Sequence, residues 1–456
     1  MGKALKTPKR QTYRAFAHSL SKGMLRSVDR RVLPFDRAEK AYNVDVSSGA
    51  LKPSYGIADT GLAYERIFYY TWYDAEASVR TGTYLGYRAG NIYALGETET
   101  QIEGVAFAAP PTGVNYRLYG EDVFLLCGAE GMAVVHADLS ATTVPSAPAI
   151  TALAMHNERM FVTIGGRKNA VWFSDDLDPT NWNPELDEGG FIELEGEGGA
   201  TNKVVDFGGY VYIFRDYGIM RLTAYGDQSE FSLTGLFVSS GRIFADTVTV
   251  CGDRILFCAS DGPYVFDGLS ATRILRDYDG AFSPAKPVAA YSGGKYFLAT
   301  KLTETEGEGN DALVCIDPKT GSACVSEGVY IDAFSPIAEA GGEKLFCHTD
   351  RETLGKVTRG ATYYDLPRTC LWQGTLSDMG SPDREKLITE LFIDTAMPVT
   401  VRVFTERGER QLRFSGKRAV QRKRVNLIGT KAGIAISADG DIDAARPALR
   451  FTYIGS

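Results

Sequence analysis

No uninterrupted apolar run of membrane length occurs in this 456-residue chain, which excludes a helical membrane span. The N-terminus also lacks the apolar block of a secretory signal, so export by that route is not expected. Histidine is scarce: only His18, His136, His156 and His348 are present, a thin supply for zinc, whose sites need clustered ligands. The seven cysteines, Cys127, Cys251, Cys258, Cys315, Cys324, Cys347 and Cys370, make an odd count and include no Cys-x-x-Cys pair. Free, buried thiols in a chain assembled in a reducing cytoplasm are the expectation. Cys127, Cys258 and Cys347 fall inside predicted strands, where a thiol acts as a small hydrophobe. Also missing are a Gly-x-Ser-x-Gly elbow, a phosphate loop and His-Glu-x-x-His. The members of a Ser/His/Asp triad need not be neighbours in sequence, but four scattered histidines give one no positive support. No catalytic residue, cofactor-binding residue or metal ligand is therefore assigned.

Glycine and aromatic residues are abundant instead. There are 49 glycines, 24 tyrosines and 23 phenylalanines, which suits many short strands joined by turns of positive φ. With 44% hydrophobic residues, the chain can bury one very large core or two ordinary ones. A phrase of apolar residues, tight polar turn and hydrophobic strand recurs at Gly120-Glu121, Asn157-Glu158, Gly208-Gly209, Gly252-Asp253, Gly293-Gly294 and Gly341-Gly342. The spacings are 37, 51, 44, 41 and 48 residues. A hairpin-bearing unit of roughly 40 to 50 residues has the period of a β-propeller blade, whose sheet buries both faces only when neighbours stack around an axis. Runs at 66–72, 83–87 and 91–95 supply one further blade ahead of these. The fold expected is all-β: a propeller of six or seven blades over residues 41–380, followed by a β-sandwich.

Residues 160–164 and 170–174, 210–214 and 219–222, 254–258 and 264–266, and 296–299 and 313–316 read as hairpin pairs within successive blades. Between the last two, residues 304–311 are acidic and Gly-rich, a surface insertion. Asp317-Pro318-Lys319-Thr320-Gly321 is a reverse turn. The character changes near Pro382. From Lys386 onward apolar and polar residues alternate, as in strands with one wet face, and a small β-sandwich is expected over residues 381–456. Its segment Lys417-Arg418-x-x-x-Arg422-Lys423-Arg424 reads as a solvated basic loop rather than a phosphate-binding patch.

Charge is divided along the chain. Residues 1–40 hold eleven Lys/Arg against three Asp/Glu, residues 41–379 hold 24 against 45, and residues 380–456 hold 14 against nine. The three segments thus carry +8, −21 and +5. An acidic body does not seek nucleic acid, because phosphate binding requires cations to replace the counterions. Residues 1–40 read as a basic arm with one short helix over about residues 12–28. The arm is expected to order on assembly against an acidic partner; contact with DNA and an organellar transit peptide are the alternatives.

Ser174-Asp175-Asp176-Leu177-Asp178-Pro179-Thr180-Asn181-Trp182 is the best candidate for chemistry. Three carboxylates within four residues suit calcium, which takes several oxygen ligands. The segment resembles the Asp-box turn of sialidase propellers, Ser-x-Asp-x-Gly-x-x-Trp, although Asp178 replaces the glycine and the tryptophan comes one position late. The structural reading is favoured: Asp175, Asp176, Asp178 and Pro179 build a turn while Trp182 plugs the gap between blades. Asp439-Gly440-Asp441-Ile442-Asp443 lacks the downstream glutamate of a calcium loop and reads as a hairpin turn.

Three features taken in order resemble the β-propeller tail proteins of tailed bacteriophages, of the nozzle, hub or packaged-DNA stabilisation type. They are Leu33-Pro34-Phe35-Asp36-x-Ala38-Glu39-x-Ala41-Tyr42-Asn43-Val44 with Gly49-Ala50-Leu51-Lys52-Pro53-x2-Gly56; Arg159-Met160-Phe161-Val162 with Val171-Trp172-Phe173-Ser174-Asp175 and Asp178-Pro179-Thr180-x-Trp182; and the sandwich after Lys386. The resemblance spans most of the chain from about Leu33. It implies a non-enzymatic virion protein, assembled in the host cytoplasm as a homo-oligomeric ring, expected to be a hexamer. Such a ring extends the DNA channel below the portal and adaptor, meets tail fibre or needle proteins, and lets double-stranded DNA pass. The alternatives are a baseplate or adhesion propeller that binds host-surface glycan, with Trp182 and Trp372 as its platform, and a propeller enzyme using a metal at Asp175, Asp176 or Asp178.

Overall fold

The computed structural model describes residues 12–34, 36–186, 188–226 and 228–454. It is all-β, with four 3-10 turns as its only helical elements among these residues. Seven sheets form the blades of a propeller, with first strands beginning at Arg66, Thr112, Ile150, Thr201, Ile243, Val288 and Ile331. The recurrent turns fall at one structural position: in blades two to seven each joins the first strand to the second. Tyr119 and Gly120 have φ of 48° and 90°, Asn157 and Glu158 of 47° and 64°, and Gly293 and Gly294 of 57° and 75°. Two consecutive positive φ values define the hairpin turn whose twist matches the strands it joins.

Blade strands are apolar on both faces because each face meets a different neighbour. In Glu121–Gly128, Phe124 and Leu126 pack toward blade one, whereas Val123, Leu125 and Cys127 pack toward blade three. Comparable clusters fill the remaining gaps, ending with Ile337, Phe346 and Leu354 of blade seven against Tyr64 and Ile67 at blade one. All seven cysteines are free and buried.

The ring closes with chain from the N-terminal side. Tyr55–Asp59 pairs antiparallel with Gly355–Arg359, supplying the fourth strand of blade seven, and Val44–Asp45 extends blade six beside Ala323–Glu327. Gly56 is required there, because a Cβ would strike the Thr362 carbonyl oxygen and lie 2.6 Å from that of Gly360.

Two further sheets form the sandwich, and its limits differ from those expected. It begins at Thr369–Gln373 rather than near residue 381, and it takes in Arg14–Ala17 and Lys40–Tyr42 from the N-terminal side. Arg14–Ala17 pairs with Ala444–Tyr453, and Lys40–Tyr42 pairs with Thr369–Gln373. The expected helix at 12–28 is replaced by this strand and irregular chain, with Leu20 and Met24 in the core at 2% and 0% exposure. Burial outweighs the weak helical periodicity. The first eleven residues of the proposed basic arm lie outside the described residues. The rest of that arm finds its acidic partner within its own chain. Arg37 pairs with Asp277 at 2.7 Å, and Arg26 and Lys40 both reach Glu304 in the acidic insertion.

Arg368 stands where propeller, sandwich and N-terminal segment meet. Its guanidinium donates to Asn43 Oδ1 (2.6 Å), Glu327 O (2.6 Å) and Tyr55 O (2.8 Å). Burial pulls its pKa down to about 10, a cost that these three bonds offset.

Candidate functional site

The Asp-rich segment is a turn. Asp178 Oδ1 accepts from the Thr180 backbone N–H (2.9 Å) and hydroxyl (2.5 Å), and its Oδ2 accepts from the Tyr119 hydroxyl (2.6 Å). That bond pushes the Tyr119 hydroxyl up to about 12. Asp175 accepts from the Asp176 N–H (2.7 Å) and the Asn181 side-chain amide (3.3 Å). The carboxylate oxygens of Asp175 and Asp178 therefore serve local donors, and among the described residues no group of three His, Cys, Asp or Glu side chains is placed to hold a metal ion. Trp182 is buried between blades two and three. Trp372 is fully buried where sandwich and N-terminal chain meet. Neither ring is available as a glycan platform, which corrects that expectation: each is large enough to fill an interior gap and is used to do so.

The histidines are dispersed. His136 bridges Glu121 (3.0 Å) and Thr142 Oγ1 (3.0 Å), an outline of base, carboxylate and hydroxyl, but this group lies on the rim of blade two, outside the lining of the axial cavity. His156 Nδ1 lies 2.7 Å from Asp206 and its Nε2 lies 3.0 Å from Asn157, a closed local network.

Charge chemistry gathers in the axial cavity, about 710 Å3 in volume and lined by the first strands of all seven blades. That volume lies in the roughly 300–1,000 Å3 range of small-molecule sites. Arg66 opens the first strand of blade one, and Lys203 lies near the start of the corresponding strand in blade four. Both line the cavity at the end where one blade hands over to the next. Desolvation lowers the proton affinity of both; for Lys203 the nearby Arg66 charge lowers it further, and Asp246 opposes the shift in each. Arg66 donates one bond, to Pro111 O at 3.1 Å, and its buried Nε has no partner. Sequence reasoning missed this group. Its signal is weak, because Arg66 and Lys203 stand near the starts of inner strands, Arg66–Asp74 and Thr201–Phe207, that mix polar and apolar residues.

The basic segment at 417–424 is a loop only at Lys417 and Arg418. Residues 419–424 lie in the edge strand Ala419–Gly429, paired with Lys386–Thr395. Lys423 pairs in register with the buried Leu391, so its stem lies on the inner side of the open sheet edge, with its ammonium over the Phe414 ring at 5.4 Å. A charge set inward at an edge discourages further strand pairing. Arg413, Lys417, Arg418, Arg422, Lys423 and Arg424 are all exposed. None has a carboxylate within 4.0 Å among the described residues.

No protein-family model and no curated protein matches the chain. Similar solved structures include a catalytically inactive virginiamycin B lyase from Staphylococcus aureus with quinupristin. It has a TM-score of 0.46 at 11% identity, over 67% of this chain and 99% of that one. The selenomethionine-substituted lyase gives 0.43 at 13%, with the same coverage of each chain. The extracellular domain of a hybrid two-component system from B. thetaiotaomicron gives 0.43 at 11%, over 81% of this chain and 47% of that one. These likenesses concern fold alone. The blade count rests on the sheet order of this chain.

Proposed function

We propose that this chain is a structural, non-enzymatic component of a phage tail that works as a homo-oligomeric ring, with six copies the expected number. In this reading the ring belongs to the virion, prolongs the DNA channel below the portal and adaptor, and helps to retain and release the genome. Tail fibre or needle proteins would meet its far side. The carrying observation is the division of charge on one interlocked chain. Residues 41–379 carry 24 Lys/Arg against 45 Asp/Glu, while the sandwich edge holds six exposed cations without ion-pair partners among the described residues. A subunit acidic at one place and basic at another favours head-to-tail contact, which closes into a ring when the rotation permits. An acidic wall also repels phosphate and lets a duplex slide. The channel would run between subunits, because a 710 Å3 cavity suits small ligands.

Charge reversal tests the contact: Arg422→Glu with Arg424→Glu should leave the monomer folded and abolish ring formation at low salt. Rings that form equally well with the reversed edge would exclude it as the interface. A neutral or basic lumen would remove the sliding argument.

A further inference from the structure

We propose that the axial cavity binds a small hydroxylated organic anion, a sugar acid or sugar phosphate, held by Arg66 and Lys203. The inference is independent of ring assembly. Both cations line a cavity of small-molecule size. Neither is ion-paired there: among the described residues no carboxylate lies within 4.0 Å of either, and only Arg66 makes a hydrogen bond, through one guanidinium nitrogen. Two recessed cations lining one cavity, with Arg66 near enough to disfavour the charged form of Lys203, lack the counter-charge that such groups normally acquire in a folded interior. An oxyanion between them supplies it, accepting charge-assisted bonds from both, including the unpartnered Arg66 Nε.

Asp246 argues for hydroxyls on the same ligand. It lines the cavity, stays exposed within it, and is near enough to influence both cations without pairing with either. A carboxylate in that position accepts from a ligand hydroxyl while opposing a second negative charge. Thr112 and Thr151 add neutral donors to the lining, and Phe68 and Phe334 add aromatic surface for the carbon face of a ring.

The full chain would be titrated calorimetrically in low-salt, phosphate-free buffer with glucuronate, glucose 6-phosphate, inorganic phosphate and glucose. Glucuronate or glucose 6-phosphate should bind saturably at one site per chain, and glucose should not bind. Lys203→Gln should weaken binding by about tenfold or more, the worth of one charge-assisted hydrogen bond. Asp246→Asn should tighten inorganic phosphate several-fold, by removing a like charge, and weaken the sugar-bearing ligands relative to phosphate. Absence of saturable binding by either sugar anion at millimolar concentration overturns the proposal, as does unchanged affinity in Lys203→Gln. Inorganic phosphate binding as tightly as glucose 6-phosphate overturns the sugar assignment. If Lys203→Gln does not fold, Asp246→Asn decides: unchanged phosphate affinity overturns the site.

Discussion

His18 offers a quantitative probe of whether the N-terminal segment belongs to the folded body. The residue is 5% exposed, and its ring stands edge-on to Phe16 at 5.1 Å and leaves Nε2 without a partner; its backbone N–H donates to Pro447 O at 2.8 Å. Burial alone pulls the imidazole from 6.5 down to about 4. The unfolded chain therefore takes up a proton near pH 6.5 that the folded chain refuses until about pH 4. Stability from this group is fully present above the unfolded value and is lost as pH falls through the window. At 1.36 kcal/mol per unit, the loss is about 2 kcal/mol between pH 7 and pH 5 and about 3 kcal/mol by pH 4. Urea unfolding followed through tryptophan fluorescence measures it, with the buried Trp372 as a reporter within the sandwich. His18→Leu should flatten the pH dependence by that amount while changing stability little at pH 7. Identical slopes in both proteins would mean that residue 18 titrates freely, and that the segment is a solvated arm.

Three other outcomes follow from the packing. Arg368→Met should cost about 3–5 kcal/mol, because Asn43 Oδ1 and two carbonyl groups lose a charged donor; a loss under about 1 kcal/mol in urea would contradict the staple. Gly56→Ala should cost about 1–3 kcal/mol by overpacking and should speed tryptic cleavage after Lys356 in the strand paired with it, whereas unaltered proteolysis would mean that blade closure tolerates the methyl group. Burial raises the thiols of Cys251, Cys258 and Cys370 to about 12, so Ellman's reagent at pH 8 should leave the native protein unlabelled and react only on unfolding. Rapid labelling of any of the three would contradict that burial.

The blades were legible because their signal is local. A tight turn with at least one residue at positive φ, and apolar strands on either side, needs no distant partner to be recognised, and six such turns placed six first-to-second hairpins. The alternation after Lys386 identified sandwich strands for the same reason. What stayed hidden depends on pairings across most of the chain. Tyr55–Asp59 joins residues 355–359, and Arg14–Ala17 joins residues 448–451; such short strands carry no periodicity of their own. The Arg-rich composition of residues 1–40 masked the buried Leu20 and Met24. Charge likewise masked strand Ala419–Gly429, whose open edge leaves cations facing solvent where a central strand would carry apolar residues. Arg66, Lys203 and Asp246 come together only because the first strands of blades one, four and five converge on the axis.

Assembly is the claim on which the functional reading stands, and particle mass tests it most directly. Mass photometry of the purified chain, alone and with portal and adaptor proteins, should show a closed species at six times 49.7 kDa, and averaged electron micrographs should show a ring with an acidic lumen. A 49.7 kDa monomer at every concentration and salt, with or without those partners, would contradict it.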